Sequence, residues 1–343
     1  MILDTDNRVV GVDYFGEAGL RAAQLEKLPH LQIVSIIYGS TLTADDIAYL
    51  STLSGVSELN IGGLTIDPPV EIKSDLKPLE GMKGLEFVHL CKHDIKDDDL
   101  QFVAALPKLA DIEFNGRGDG LYWQHSVTDQ CADHLVKAKG LKGVWIDGYG
   151  PLTDNFLEKL TAGLPGLVGL HMGSPQLTDE SLRLLATRCK HIEHLNMRSD
   201  RFTDNGIQHL VSAQRLQSLW LEADLLTGRC VEPIGQLKSL NHLGLSIRNI
   251  SDEGVQALAG LKNLQILSLR KPELTDAQFA KFRGHDTLEV AYINGKSLSI
   301  DRTLETIAAM SSLRMLEVET GVLEPNELQK AVNRALSGRK PKP

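Results

Sequence analysis

The sequence predicts an α/β fold: a curved solenoid of about twelve to thirteen coils, with a parallel sheet on its concave side and helices on its convex side. Three observations lead there. An apolar phrase with residues at positions 1, 4 and 6 recurs along the whole chain. Its spacing is 24 to 26 residues in all but two steps. In five coils a Thr-Asp or Ser-Asp pair follows 11 or 12 residues after the phrase begins, where a helix should start.

Taken in order, the phrase starts at Leu31, Val56, Leu85, Leu109, Leu141, Leu167, Ile192, Leu216, Leu240, Leu264, Leu288 and Leu313. Successive steps are 25, 29, 24, 32, 26, 25, 24, 24, 24, 24 and 25 residues. A half-register at Val9, Val12 and Tyr14 adds a first strand. A period in the twenties with this spacing of apolar residues is the leucine-rich repeat signature.

One coil shows the physics. Between Leu167 and Lys190, Leu170 and Met172 alternate with Gly169, His171 and Gly173, so a short strand turns one side inward and the other outward. Leu177 then enters the core, and Thr178-Asp179 caps free backbone amides. A helix follows with Leu182 and Leu185 inward. The cap recurs as Thr153-Asp154, Thr203-Asp204, Ser251-Asp252 and Thr275-Asp276, and an Asp at a helix start also suits the dipole. No coil buries its leucines alone, so the coils must stack.

The phrases Phe202-Thr203-Asp204-Asn205-Gly206-Ile207 and Ile250-Ser251-Asp252-Glu253-Gly254-Val255 resemble the LTDxGLxxL pattern of the cysteine-containing leucine-rich repeats and their bacterial relatives. The resemblance covers essentially the whole chain and implies a protein-recognition scaffold. At the position usually held by a ladder asparagine stand Pro175, Asp200, Asp224, Arg248, Pro272 and Lys296, so the turn after each strand must be satisfied in another way. No F-box-like helical segment precedes the repeats, which argues against a ubiquitin-adaptor role.

The ends divide the chain into a capping strand and helix over 1–30, the solenoid over 31–324, and a capping helix with polar tail over 325–343. At the start only Ile2 and Leu3 offer a lid; either they suffice or the native chain extends further. The last strand carries Glu317 and Glu319, which discourage further pairing. Pro325 then opens the helix NELQKAVNRAL.

A net charge of -9 with no long run of like charges excludes a phosphate-binding stripe, so no nucleic-acid partner is expected. No apolar run approaches the length of a membrane span, and the N-terminus has no signal-peptide pattern. Cys91, Cys131, Cys189 and Cys230 stand far apart without a CxxC pair, which points to reduced thiols and a reducing compartment such as the cytoplasm. The alternative is a secreted fragment freed of its leader.

Packing fixes the inward letters, so function belongs to the outward positions 3, 5 and 7 of the strands. Position 5 supplies His89, Glu113, Trp145, His171, Trp220 and Tyr292. Position 3 supplies His194 and His242, and position 7 supplies Asp147, Arg198 and Glu222. Trp123 lies in the longest insertion, beside the same face. Aromatic residues facing water on a regular sheet call for a cover, so these twelve residues are the expected binding face for a protein or extended peptide, in a groove centred on Trp145 to His242. The competing readings are that the tryptophans pack on neighbours and only stabilise the sheet, or that Trp145, Trp220 and Tyr292 stack on a carbohydrate. Trp145 and Trp220 are three strands apart, about 14 Å, which favours an extended partner. Asp147, His171 and His194 lie on a diagonal that could hold a metal, but such triplets arise by chance on a polar face. No HExxH, GxSxG, GxGxxG or P-loop occurs, so no catalysis, metal or cofactor is expected. Arg117-Gly118-Asp119 is read as loop composition, and Asp97-Asp98-Asp99 as helix capping.

Overall fold

The apolar phrase is the core. In the computed structural model, all of its residues at positions 1, 4 and 6 are buried in all twelve coils, none more than 5% exposed. The structure describes residues 1–14, 24–36, 41–62, 71–72, 75–91, 95–115, 125–319, 327–337 and 339, apart from the side chains of Glu71, Asp147, Tyr149 and Arg270. Trp123 and the Arg117-Gly118-Asp119 tripeptide lie outside the described residues.

The chain divides into two compact units, Met1–Gln176 and Leu177–Pro343. The first contains β1 (Ile2–Leu3), β2 (Val9–Tyr14), β3 (Ile33–Ile36), β4 (Thr41–Leu42), β5 (Glu58–Ile61), β6 (Glu71–Ile72), β7 (Phe87–Cys91), β8 (Asp111–Asn115), β9 (Gly143–Tyr149) and β10 (Gly169–Gly173). Its sheet runs β1-β2-β3-β5-β7-β8-β9-β10, while β4 and β6 pair separately. Only the β1–β2 step is antiparallel. The helices are α1 (Ala44–Leu50), α2 (Ala132–Leu135) and α3 (Asp154–Gly163), with 3-10 turns at Lys77–Gly81 and Asp97–Ala105.

The second unit contains β11 (His194–Arg198), β12 (Ser218–Glu222), β13 (His242–Ser246), β14 (Ile266–Glu273), β15 (Val290–Asn294) and β16 (Met315–Glu319), parallel and paired in that order. They alternate with α4 (Asp179–Arg188), α5 (Asp204–Leu210), α6 (Val231–Ile234), α7 (Asp252–Ala259), α8 (Asp276–Phe279) and α9 (Ile300–Ala308), and α10 (Glu327–Leu336) follows β16. The strands pair residue for residue, so Leu219, Leu243 and Leu267 form one inward row. Among the described residues no helix is long and apolar enough to cross a membrane.

The Thr-Asp pair does two jobs. Thr153, Thr178, Thr203, Ser251 and Thr275 each cap their own helix by accepting a backbone N–H, as the sequence predicts. The aspartate reaches the next coil. Asp97, Asp129, Asp179, Asp204 and Asp276 each accept both the backbone N–H (2.7–2.9 Å) and the hydroxyl (2.5–2.7 Å) of Thr128, Thr153, Thr203, Thr227 and Ser299. These five charge-assisted pairs tie neighbouring coils together and help fix their register. The missing asparagine is replaced one residue upstream: Ser174 and Ser199, both fully buried, donate at 2.7 Å to the carbonyls of Leu152 and Leu177.

After β16, α10 supplies what another strand would. The Gln329 amide accepts from Val318 N–H at 2.7 Å and donates to the Leu316 carbonyl at 2.8 Å. The guanidinium of Arg339 donates to the carbonyls of Ile307, Met310 and Leu313 at 2.6–2.9 Å, closing the last helix turn of α9 and the bend behind it.

All four cysteines are free and buried. Burial pushes the pKa of the Cys189 thiol up to about 11 and that of Cys230 up to about 12, and raises that of Cys131 well above the usual thiol value, with Asp97 adding to the effect. Native protein at pH 7.5 is therefore expected to react with a thiol reagent far more slowly than unfolded protein, in which a titration without reductant should find four thiols. Two or none would require disulfides.

Candidate functional site

The outward residues form rows because the parallel strands pair in register. In the first unit, Asn60, His89, Glu113, Trp145 and His171 stand side by side at position 5. In the second, Asn196, Trp220, Gly244, Ser268, Tyr292 and Glu317 do the same.

The first row is tightly set. His89 is only 6% exposed, with Nε2 3.9 Å from Oε1 of the part-buried Glu113. Trp145 is part-buried too, and its Nε1 donates to Asp111 Oδ1 at 3.4 Å. Its ring occupies room left by two glycines: a Cβ at Gly169 would stand 3.0 Å from Cζ2, and one at Gly143 would stand 2.8 Å from Nε1. His171 is part-buried beside it. The Asp147 backbone pairs with Asn115, but its side chain lies outside the described residues. Among the described residues no group of three His, Cys, Asp or Glu is placed to hold a metal ion.

The second row is more open and has a cavity of about 700 Å³ over it, lined by Asn196, Trp220, Leu221, Glu222, Gly244, Leu245, Ser246, Ser268, Lys271, Tyr292 and Glu319. Trp220 lies directly over Gly244, where a Cβ would stand 2.0 Å from Cε3 of the indole. No other residue type leaves that seat without moving the ring. Arg198 meets Glu222 at 3.5 Å, and Lys271 meets Asp224 at 3.1 Å. His194 and His242 flank Ser218 on the adjoining row. Burial, and then the nearby His194, lowers the His242 imidazole below its usual range.

The expected site residues thus separate into His89, Glu113, Trp145, Asp147 and His171 on one unit and His194, Arg198, Trp220, Glu222, His242 and Tyr292 on the other. Trp123 lies outside the described residues. The position-3, 5 and 7 pattern does not reach Lys271. That residue joins the cavity because β14 runs on through Glu273 where its neighbours stop after five residues. Glu319 enters at position 7 of the last strand. Both tryptophans lie with part of the ring against the sheet, so packing on neighbours is real, and neither is fully covered.

No family model and no curated protein matches the sequence. Among solved structures, the chain is similar to an internalin (inlF) from Listeria monocytogenes, with a TM-score of 0.51 and 19% identity over 86% of this chain and 82% of that one. It also aligns with the Leptospira interrogans LRR protein LIC12759 at a TM-score of 0.49 and 13% identity, covering 89% of this chain and 81% of that one. Stacked coils of the expected period and the likeness to solved structures together make the chain, in its fold, a leucine-rich repeat protein.

Proposed function

We propose that the chain is a protein-binding scaffold whose outward sheet faces hold a protein or extended peptide, and we assign it no chemistry of its own. Leucine-rich repeat folds serve generally as protein-recognition surfaces, since stacked repeats expose a long regular face whose letters vary freely. The observation that carries the reading is the seating of Trp145 and Trp220. Each has room made for it by glycine on a neighbouring strand, so each presents a pre-positioned, part-exposed aromatic surface. Rigid aromatics of this kind supply much of the binding energy at protein interfaces. The flanking Glu113, Arg198, Glu222 and His242 provide a polar surround.

The test is recovery of partners from native lysate with four baits: wild type, Trp145→Ala, Trp220→Ala, and Lys159→Ala on α3 as a control away from the sheet face. A partner is expected with wild type and the control and is expected to be lost with at least one tryptophan variant, an anchor being worth about 2 kcal/mol or more. Equal recovery by all four folded baits contradicts the proposal.

A further inference from the structure

We propose that the cavity over the second unit receives an arginine side chain of the partner, an inference that rests on the scaffold reading above. Three features of the cavity point to that chemistry.

The first is shape. Because Trp220 lies over Gly244, its indole lines one side of the cavity, while Tyr292 lines the other two strand spacings from Gly244, about 9.6 Å. Between them the floor is Ser268, only 6% exposed and too short to fill the gap. A flat group can enter this slot and stack on an aromatic face.

The second is charge. Glu222 stands at the Trp220 wall and Glu319 on the strand beyond Tyr292. The one cation lining the cavity among the described residues, Lys271, is bonded to Asp224, and that bond holds the Asp224 carboxyl below its usual range. Arg198 meets Glu222 from outside the lining at 3.5 Å, which leaves the Glu319 side the more negative. An acidic side chain would be repelled here, and an aliphatic one would leave the carboxylates unused. A neutral sugar could stack on Trp220 and donate hydroxyls to the carboxylates but would leave their charge uncompensated.

The third is the match between the two. Guanidinium is planar, stacks on aromatic faces and donates in a fork that fits a carboxylate, whereas ammonium is a compact, strongly hydrated point charge. An arginine laid with its methylene stem across Trp220 carries its guanidinium toward Tyr292 and Glu319, which stand on adjoining strands, and so uses both walls.

The test is selection of random dodecapeptides on the native full-length chain, with direct binding titrations of the selected peptides and a neutral oligosaccharide array in parallel. Arginine is expected to be enriched at one position. Replacing that arginine by citrulline, which keeps the shape and removes the charge, is expected to weaken binding about tenfold or more. Glu319→Gln is expected to weaken it by a similar factor and Trp220→Ala more, while Trp220→Phe, which keeps an aromatic face, retains most of it. Peptides that need Trp220 but tolerate citrulline overturn the arginine assignment and leave the scaffold reading standing. Failure to select any peptide, or binding of oligosaccharides alone, overturns both.

Discussion

Leu243→Ala is expected to lower the unfolding free energy by about 2–5 kcal/mol, the cost of opening a cavity in a well-packed core. Leu243 is fully buried at the centre of β13, directly between Leu219 of β12 and Leu267 of β14. Its loss removes contacts on both sides at once, and a stack of repeats is held largely by such nearest-neighbour interfaces. Ser218→Ala is the control. Ser218 is part-buried on the outward side of β12, and it should change stability by no more than about 0.5 kcal/mol. Denaturant unfolding followed by far-ultraviolet circular dichroism measures both, and equal effects would mean that the strand register is wrong.

The second large effect is acid sensitivity. Burial lowers the His125 pKa to about 4, an effect only partly offset by the Val127 backbone and the negative charge of Asp97. The ring is 6% exposed and packs on Gly150, where a Cβ would stand 1.9 Å from Cε1. A histidine whose folded pKa is depressed stays neutral in the native state while the unfolded chain takes up a proton. Stability is then full above about pH 6.5 and is lost as pH falls from there to about 4, by on the order of 3 kcal/mol. His242 and His285, lowered chiefly by burial, act in the same direction. His125→Phe keeps a planar ring and removes the titration, so its stability measured at pH 7 and pH 4.5 should fall by less than that of wild type. An unchanged pH dependence in this variant would show that His125 is not the group responsible.

The fold was legible because a solenoid writes its core into the sequence at a fixed period. Leu243, Leu245 and their counterparts recur at that period in every coil and are buried in every coil. The helix starts were legible for the same reason, since a capping Thr or Ser recurs beside an Asp. What the recurring Asp does was not legible. Asp179 binds Thr203, 24 residues on, and only stacking brings them together. The candidate face was legible in its rows but not in its relief. Trp220 and Gly244 share position 5 on adjacent strands, and that pairing seats the indole, yet neither letter alone announces it. Lys271 was hidden because β14 runs beyond the usual strand length, which periodicity does not encode.

The central claim is that the outward sheet face, and not the helical side, meets the partner. It is tested most directly by photo-crosslinking in native lysate with benzoylphenylalanine placed singly at Tyr292, on the face, and at Arg183, part-exposed on α4. The account predicts a discrete crosslinked species from position 292 that is lost on adding Trp220→Ala, and none from position 183. Crosslinks from position 183 alone, or crosslinks from 292 that ignore Trp220→Ala, would contradict it.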